Sequence, residues 1–178
     1  MREDIQDILF SEDVIKARVR ELGTQITQDY FGRTPALVGI LKGSFIFLAD
    51  LVRSIGLCCE IKFLSASSYG FSTVTTGKVK IGTQLDSEFS DKHVILIEDI
   101  LDSGVTMAEL QRFVSGYGPA SLRVCTLLDK PERRQTAISA DYIGFECPDE
   151  FLVGYGLDYA ERYRNLPFIA SLKPEIYL

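Results

Sequence analysis

Two adjacent acids, Glu98 and Asp99, stand a few residues ahead of a small hydroxylated run, Asp102-Ser103-Gly104-Val105-Thr106. A pair of carboxylates is suited to hydroxyl groups and cations. A run of Asp, Ser, Gly and Thr at the start of a helix is suited to an anion, because it offers hydroxyls and backbone N–H groups and the helix N-terminus adds positive partial charge. For a bare phosphate the two halves conflict, since the acids repel it unless a metal ion or sugar hydroxyls lie between. A sugar phosphate resolves the conflict. Its hydroxyls face Glu98 and Asp99, and its phosphate sits on Asp102–Thr106.

The elements that position these groups can be read around them. Val94-Ile95-Leu96-Ile97 is a β-branched apolar run bounded by charge, as in a strand buried in a parallel sheet, and helix-forming residues run from Met107 to about Ser115. The pattern of strand, small-residue loop and helix recurs at Ala36–Leu41, Lys42-Gly43-Ser44 and Phe45 to about Ile55, stopped by Gly56. On its residues alone this second loop is an ordinary turn with an exposed lysine. Ser121–Leu127 is a further apolar strand, and Lys130 follows its C-terminal edge, where open α/β sheets bind ligands. A surface lysine beside Pro131 is the commoner case, and Arg133 and Arg134 are expected in solvent. Ser11 followed by Glu12 and Asp13 caps a helix whose apolar stripe is Ile15, Val19, Leu22 and Ile26, ending by about Tyr30. Cys58–Ser65 reads as a strand, Ser67–Thr76 as a long loop, and Gly77–Leu85 as a returning strand. Asp141–Glu146 and Phe151–Tyr155 are short strands. Phe151 taken alone is a core aromatic, Asp158 is an acid just past a glycine turn, Arg162 is expected to be exposed, and the tail from Ser171 completes an accessory region with Phe151–Tyr155.

The totals exclude several classes. The 178 residues, 46% hydrophobic and 25% charged, suit one globular domain. A net charge of −6 argues against a general binder of nucleic acid or anionic membranes. Cys58, Cys59, Cys125 and Cys147 form no CxxC pair, and with a single histidine in the chain no zinc site is expected; reduced thiols in a cytoplasmic protein are the expectation. The N-terminus has no signal-peptide pattern, and the most apolar stretch, Ala36–Val52, is broken by Lys42 and Asp50. A P-loop is excluded, because the Gly-Lys pair Gly77-Lys78 is followed by Val79 and has Ser72 where the first glycine belongs. A dinucleotide site is excluded, because Gly154-Tyr155-Gly156 and Gly116-Tyr117-Gly118 lack the third glycine.

The stretch HVILIEDILDSGVTM (93–107) resembles the phosphoribosyl-pyrophosphate loop of the type I phosphoribosyltransferases. LVGILKGSFIFLADL (37–51), SSYGFST (67–73), LLDKPERR (127–134) and EFLVGYGLDYAERYRNLP (150–167) resemble, in order, the hypoxanthine (hypoxanthine-guanine) phosphoribosyltransferases. The resemblance implies an α/β fold, a central mostly parallel sheet flanked by helices, with a small hood from the terminal segments including about 142–178. It implies transfer of 5-phosphoribose from phosphoribosyl pyrophosphate to a purine base, with Mg2+. By match, Glu98 and Asp99 hold the ribose hydroxyls or metal, Asp102 is the candidate base, and Ser103, Gly104, Val105 and Thr106 hold the 5′-phosphate. Lys42 and Gly43, whose peptide can be cis, bind pyrophosphate with Arg164. Ser68 and Tyr69 belong to a closing flap. Lys130 donates to the purine 6-oxygen, Phe151 stacks on the base, the Leu152 backbone reads its edge, and Asp158 binds magnesium. Ser103 stands where threonine is frequent and keeps the hydroxyl; Leu152 stands where valine is frequent. The resemblance leaves open hypoxanthine, guanine or a xanthine preference, and a homodimer or homotetramer. It implies no nucleic-acid or membrane partner. The competing reading is a nucleotide-sensing regulator that binds RNA, against which the acidic charge and the intact set Asp102, Lys130, Asp158 and Arg164 count.

Overall fold

The apolar runs build a six-stranded sheet in the order β4-β3-β2-β5-β6-β7. The strands are β2 (Ala36–Leu41), β3 (Glu60–Ser67), β4 (Lys80–Ile81), β5 (His93–Leu101), β6 (Ser121–Asp129) and β7 (Tyr142–Glu146), and β1 (Ile5–Phe10) lies elsewhere. A computed structural model describes residues 1–67, 80–81 and 89–177. Within the sheet β2, β3, β5, β6 and β7 run parallel, and β4 is antiparallel at the edge.

Residue parity decides which face each side chain joins. On β5, Ile95 and Ile97 pack beneath α1 (Glu12–Asp29) and α2 (Phe45–Ser54), with Ile15, Leu22, Ile26, Phe47 and Leu51. Val94 and Leu96 face the other way, against Met107, Leu110 and Val114 of α3 (Val105–Ser115). Each of these three α3 side chains is essentially fully buried, and each contributes roughly 1.5–3 kcal/mol. The Ser11 hydroxyl accepts from Val14 N at 3.4 Å and caps α1, which ends at Asp29 with Tyr30 as its C-terminal cap. Arg18 of α1 donates to the carbonyls of Gly144 (2.9 Å) and Ile143 (2.8 Å), occupying acceptors of the edge strand β7.

The register aligns the C-terminal ends of the central strands: Leu101 pairs with Asp129, and Ala36–Gly39 pair with Val94–Ile97. The loops after β2, β5 and β6 therefore leave the sheet at one edge. Above it stands a three-stranded antiparallel sheet, β1-β9-β8, in which the N-terminal strand pairs with β9 (Ile169–Leu172), and β9 with β8 (Leu152–Val153). Its own core includes Val153, Tyr163, Leu166 and Phe168, and the Tyr163 hydroxyl donates to Asp4 at 3.0 Å.

Several boundaries differ from expectation. The segment expected in the hood from about 142 divides: Tyr142–Glu146 pairs parallel with β6 in the main sheet, where Tyr142 is buried in that sheet's core and Phe145 packs against it. β3 starts at Glu60 rather than Cys58, and α3 starts at Val105 rather than Met107, because Gly104 takes a left-handed conformation and ends the loop there. The expected flap loop lies almost wholly outside the described residues, as do Ser68 and Tyr69.

Candidate active site

The loop after β5 is shaped by Gly104. Its φ of +81° suits glycine, and a Cβ there would lie 2.4 Å from Thr136 Oγ1 and 3.0 Å from Arg134 Cδ. The helix begins at the next residue, so the first-turn N–H groups of α3 face the loop without helical acceptors; Val105 N meets the Ser103 hydroxyl at 3.4 Å. Ser103, Gly104 and Thr106 line one cavity of about 470 Å³ with Lys42, Gly43, Glu98, Asp99, Asp102, Asp158 and Arg164.

The acid pair forms part of its wall. Burial, and then the neighbouring Asp99 carboxyl, push Glu98 well above the usual carboxylate range; burial also raises Asp99. Two acids so placed are stabilised as anions by hydroxyl donors or a cation. Gly43 fits flat against them: a Cβ on it would lie 1.7 Å from Asp99 Oδ2. The non-proline cis bond lies at Leu41–Lys42, one peptide before the Lys42–Gly43 bond implied by the resemblance. Gly156, at φ +106°, presses its backbone onto the Gly43 carbonyl, where a Cβ would come within 2.1 Å. The hood thus rests directly on the β2 loop.

From that hood come Asp158 and Arg164. Arg164 Nη2 lies 2.8 Å from Asp158 Oδ1, and Nη1 donates to Gly156 O at 2.8 Å. Its Nε is buried without a hydrogen-bond partner among the described residues. Asp158 Oδ2 accepts from Glu161 N at 2.8 Å.

A second cavity, of about 540 Å³, adjoins the first and shares Asp99, Ile100, Asp102 and Asp158 with it. Lys130, Phe151 and Leu152 line it. Lys130 is not the surface lysine that the residues alone favoured: it is 6% exposed, and its ammonium donates to Glu150 O at 2.6 Å. Phe151 is 37% exposed rather than a core residue, stacked on Tyr177 at 4.9 Å and edge-on to Tyr159 at 5.4 Å.

The two arginines expected in solvent are both engaged. Arg134 lies beneath the loop after β5, donating to the carbonyls of Leu101 (3.1 Å) and Asp102 (2.5 Å) and pairing with the Asp129 carboxylate. Arg133 stays half-exposed yet bridges Asp102 and Asp149, each at 2.9 Å. Its approach to Asp102 Oδ1 is a charge contact without hydrogen-bond geometry, and that oxygen is buried without a hydrogen-bond partner among the described residues. Neither contact had a signal in the sequence, since the 3-10 turn Pro131–Arg133 swings both side chains back over the sheet edge.

The site therefore assembles Lys42, Gly43, Glu98, Asp99, Asp102, Ser103, Gly104, Thr106, Lys130, Phe151, Leu152, Asp158 and Arg164 around two joined cavities, while the predicted Val105 lines neither. It does not assemble Glu98, Asp99 and Asp158 into a three-carboxylate metal cage: among the described residues no such group of ligands converges. Separate carboxylates beside an anion loop instead suit magnesium, which commonly takes one or two protein carboxylates and shares its other positions with water and substrate phosphates.

Among known proteins, residues 6–160 match the phosphoribosyl transferase domain family. The hypoxanthine-guanine phosphoribosyltransferase of Bacillus subtilis is 48% identical over 177 residues, covering 99% of this chain and 98% of that protein. The crystal structure of a hypoxanthine phosphoribosyltransferase from Staphylococcus aureus superposes with a TM-score of 0.95 at 46% identity, covering 100% of this chain and 97% of that one. The bifunctional protein TilS/HprT of Listeria innocua is 50% identical over 99% of this chain, which spans 27% of that longer protein. The geometry, the matched domain and the full-length relatives converge: the chain belongs to the phosphoribosyltransferase family, in its hypoxanthine (hypoxanthine-guanine) phosphoribosyltransferase branch.

Proposed function

We propose that this chain is a purine salvage enzyme that transfers 5-phosphoribose from phosphoribosyl pyrophosphate to N9 of a 6-oxopurine, hypoxanthine or guanine. The bond from ribose C1 to pyrophosphate breaks, the bond from C1 to N9 forms, and pyrophosphate leaves with IMP or GMP as the other product. The observation that carries this reading is the pair of joined cavities. One is lined by two small-residue loops, an acid pair and Arg164. The other is lined by a buried lysine and a half-exposed aromatic, and they meet at Asp99, Asp102 and Asp158.

In this reading Ser103, Gly104, Val105 and Thr106 bind the 5′-phosphate through hydroxyl and N–H groups. Glu98 and Asp99 accept from the ribose hydroxyls and hold the sugar as positive charge grows at C1. Lys130 donates to the purine 6-oxygen, Phe151 lies against the base, and the Leu152 backbone reads its edge. Asp102, which lines both cavities, accepts the purine proton. Lys42, Gly43 and Arg164 bind the leaving pyrophosphate, and the forked guanidinium of Arg164 suits it. Asp158, with Glu98 and Asp99 as further candidates, would hold magnesium, which when bound supplies charge neutralisation to the pyrophosphate.

The chain is proposed to work in the cytoplasm, consistent with four free thiols, and among the described residues no helix is long and apolar enough to cross a membrane. A homodimer or homotetramer is proposed, supported by Ile61 and Phe63, which share a face of β3 and remain 41% and 46% exposed.

The test is pyrophosphate release from phosphoribosyl pyrophosphate and magnesium with hypoxanthine, guanine, xanthine and adenine in turn. Turnover is expected with 6-oxopurines and not with adenine, whose 6-amino group gives Lys130 no oxygen to donate to. Equal turnover with adenine refutes the role of Lys130, and no turnover with any base refutes the reading. Wild-type turnover in Asp102→Asn refutes the proton-acceptor role.

A further inference from the structure

The two cations that face the pyrophosphate end of the cleft come from separate parts of the fold. Lys42 lies on the loop after β2 and Arg164 in the hood, and both line the same cavity. One carboxylate, Glu161, reaches both: its Oε1 is 2.9 Å from Lys42 Nζ, and its Oε2 is 3.4 Å from Arg164 Nη2. The backbone that presents it is pinned. Glu161 has φ +61°, its N–H donates to Asp158 Oδ2 at 2.8 Å, and the flanking residues Tyr159 and Arg162 form a bridge. Its side chain and that of Lys42 are 63% and 68% exposed, so the carboxylate can swing away into water without a burial penalty. Arg164 is different: only 20% exposed, with a buried Nε that no group among the described residues satisfies. Asp158 (2.8 Å) and Glu161 (3.4 Å) both meet the guanidinium at Nη2, so the carboxylates now beside Arg164 leave the Nε part of its donor fork unused.

We propose that Glu161 is a built-in stand-in for the pyrophosphate group. It pairs with Lys42 and Arg164 before substrate binds, and a pyrophosphate-bearing ligand must displace it. Glu161 thereby sets the affinity for both phosphoribosyl pyrophosphate and released pyrophosphate, while leaving the purine side untouched. The inference rests on the pyrophosphate-end assignment made above.

Two consequences separate this role from a structural one. Removing the charge tightens binding, where the loss of an ordinary support would weaken it. The gain also depends on Lys42. Exposed ion pairs are weak, so the expected change is about two- to fivefold.

The experiment is calorimetric titration of the full chain with inorganic pyrophosphate in magnesium chloride, for the wild type, Glu161→Gln, Lys42→Met and the double variant. Glu161→Gln is expected to lower the pyrophosphate dissociation constant by about two- to fivefold, and by a smaller factor in the Lys42→Met background. In turnover assays the KM for phosphoribosyl pyrophosphate should fall by a similar factor, with the KM for hypoxanthine unchanged. An unchanged or raised dissociation constant overturns the proposal; a raised one makes Glu161 part of the ligand's own binding set. An equal gain with and without Lys42 also overturns it. Because the titration needs no turnover, absent activity in the wild type would refute the transferase reading without deciding this one.

Discussion

Arg134→Met is the substitution whose consequences follow most directly from the structure. The guanidinium has three acceptors: the Asp129 carboxylate and the carbonyls of Leu101 and Asp102. The two side chains are 14% and 9% exposed, close to buried. Removing one partner of a buried ion pair costs roughly 3–5 kcal/mol, mostly because the remaining charge is stranded; the residual exposure of Arg134 favours the lower end. Leu101 O keeps another donor, Lys130 N at 3.0 Å, so its share is small. Asp102 O loses a charged donor, a loss of about 1.5–3 kcal/mol at full burial and less at this partly wet edge. The expected loss in unfolding free energy is therefore about 3–4 kcal/mol, measured by denaturant titration at fixed protomer concentration. Against a typical 5–15 kcal/mol, the variant remains folded. Adding Asp129→Asn removes the stranded charge and should restore at least half of the loss. Binding should behave differently. The carbonyls that shape the loop after β5 lack their donor in both variants, so the KM for phosphoribosyl pyrophosphate should rise about tenfold, or 1.4 kcal/mol, in the single and the double variant alike. A stability loss with wild-type KM would refute the positioning argument, and so would a double variant that regains wild-type KM together with its stability.

Three further outcomes are expected. Gly43→Ala places a Cβ 1.7 Å from Asp99 Oδ2, so kcat/KM should fall at least a hundredfold, about 2.7 kcal/mol; a tenfold loss or less would mean that the β2 loop yields freely. Thr106→Ala should weaken phosphoribosyl pyrophosphate far more than hypoxanthine, and equal losses would remove Thr106 from the phosphate site. The third concerns pH. The Tyr163 hydroxyl holds Asp4 below its ordinary value of 3.8. A carboxyl depressed in the folded state contributes stability that is present above the unfolded pKa and lost as pH falls through the folded one. Tyr163→Phe should therefore be less stable than the wild type by a constant amount between about pH 5 and about pH 9, with the gap narrowing as pH falls below the ordinary value. A gap that is independent of pH down to pH 2 would refute the link.

How much of this was legible in the chain varies by residue. The apolar run 94–97, with acids and then a Ser-Gly-Thr loop after it, already specified a strand, a turn and a helix start, because each property is local: side-chain branching, glycine freedom and an uncapped helix end. The same holds for α1, whose cap at Ser11 and stripe at Ile15, Val19, Leu22 and Ile26 are nearest-neighbour properties of one helix. Lys130, Phe151 and Arg134 were misjudged on their residues alone, since burial depends on what arrives from elsewhere. The Glu150 carbonyl that holds Lys130 and the Tyr177 ring against Phe151 are brought there by the fold. Likewise Tyr142–Glu146 is a short strand by its own composition, but only pairing with β6 assigns it to the main sheet instead of the hood. The types of group available, and the elements that carry them, follow from local composition and spacing along the chain. Tertiary structure alone decided that three strand ends share one edge, that Gly156 closes onto Gly43, and that Glu161 meets both Lys42 and Arg164. These are long-range juxtapositions, set by sheet register and hood docking, and no local propensity encodes the distance between two residues more than a hundred positions apart, as Lys42 and Glu161 are.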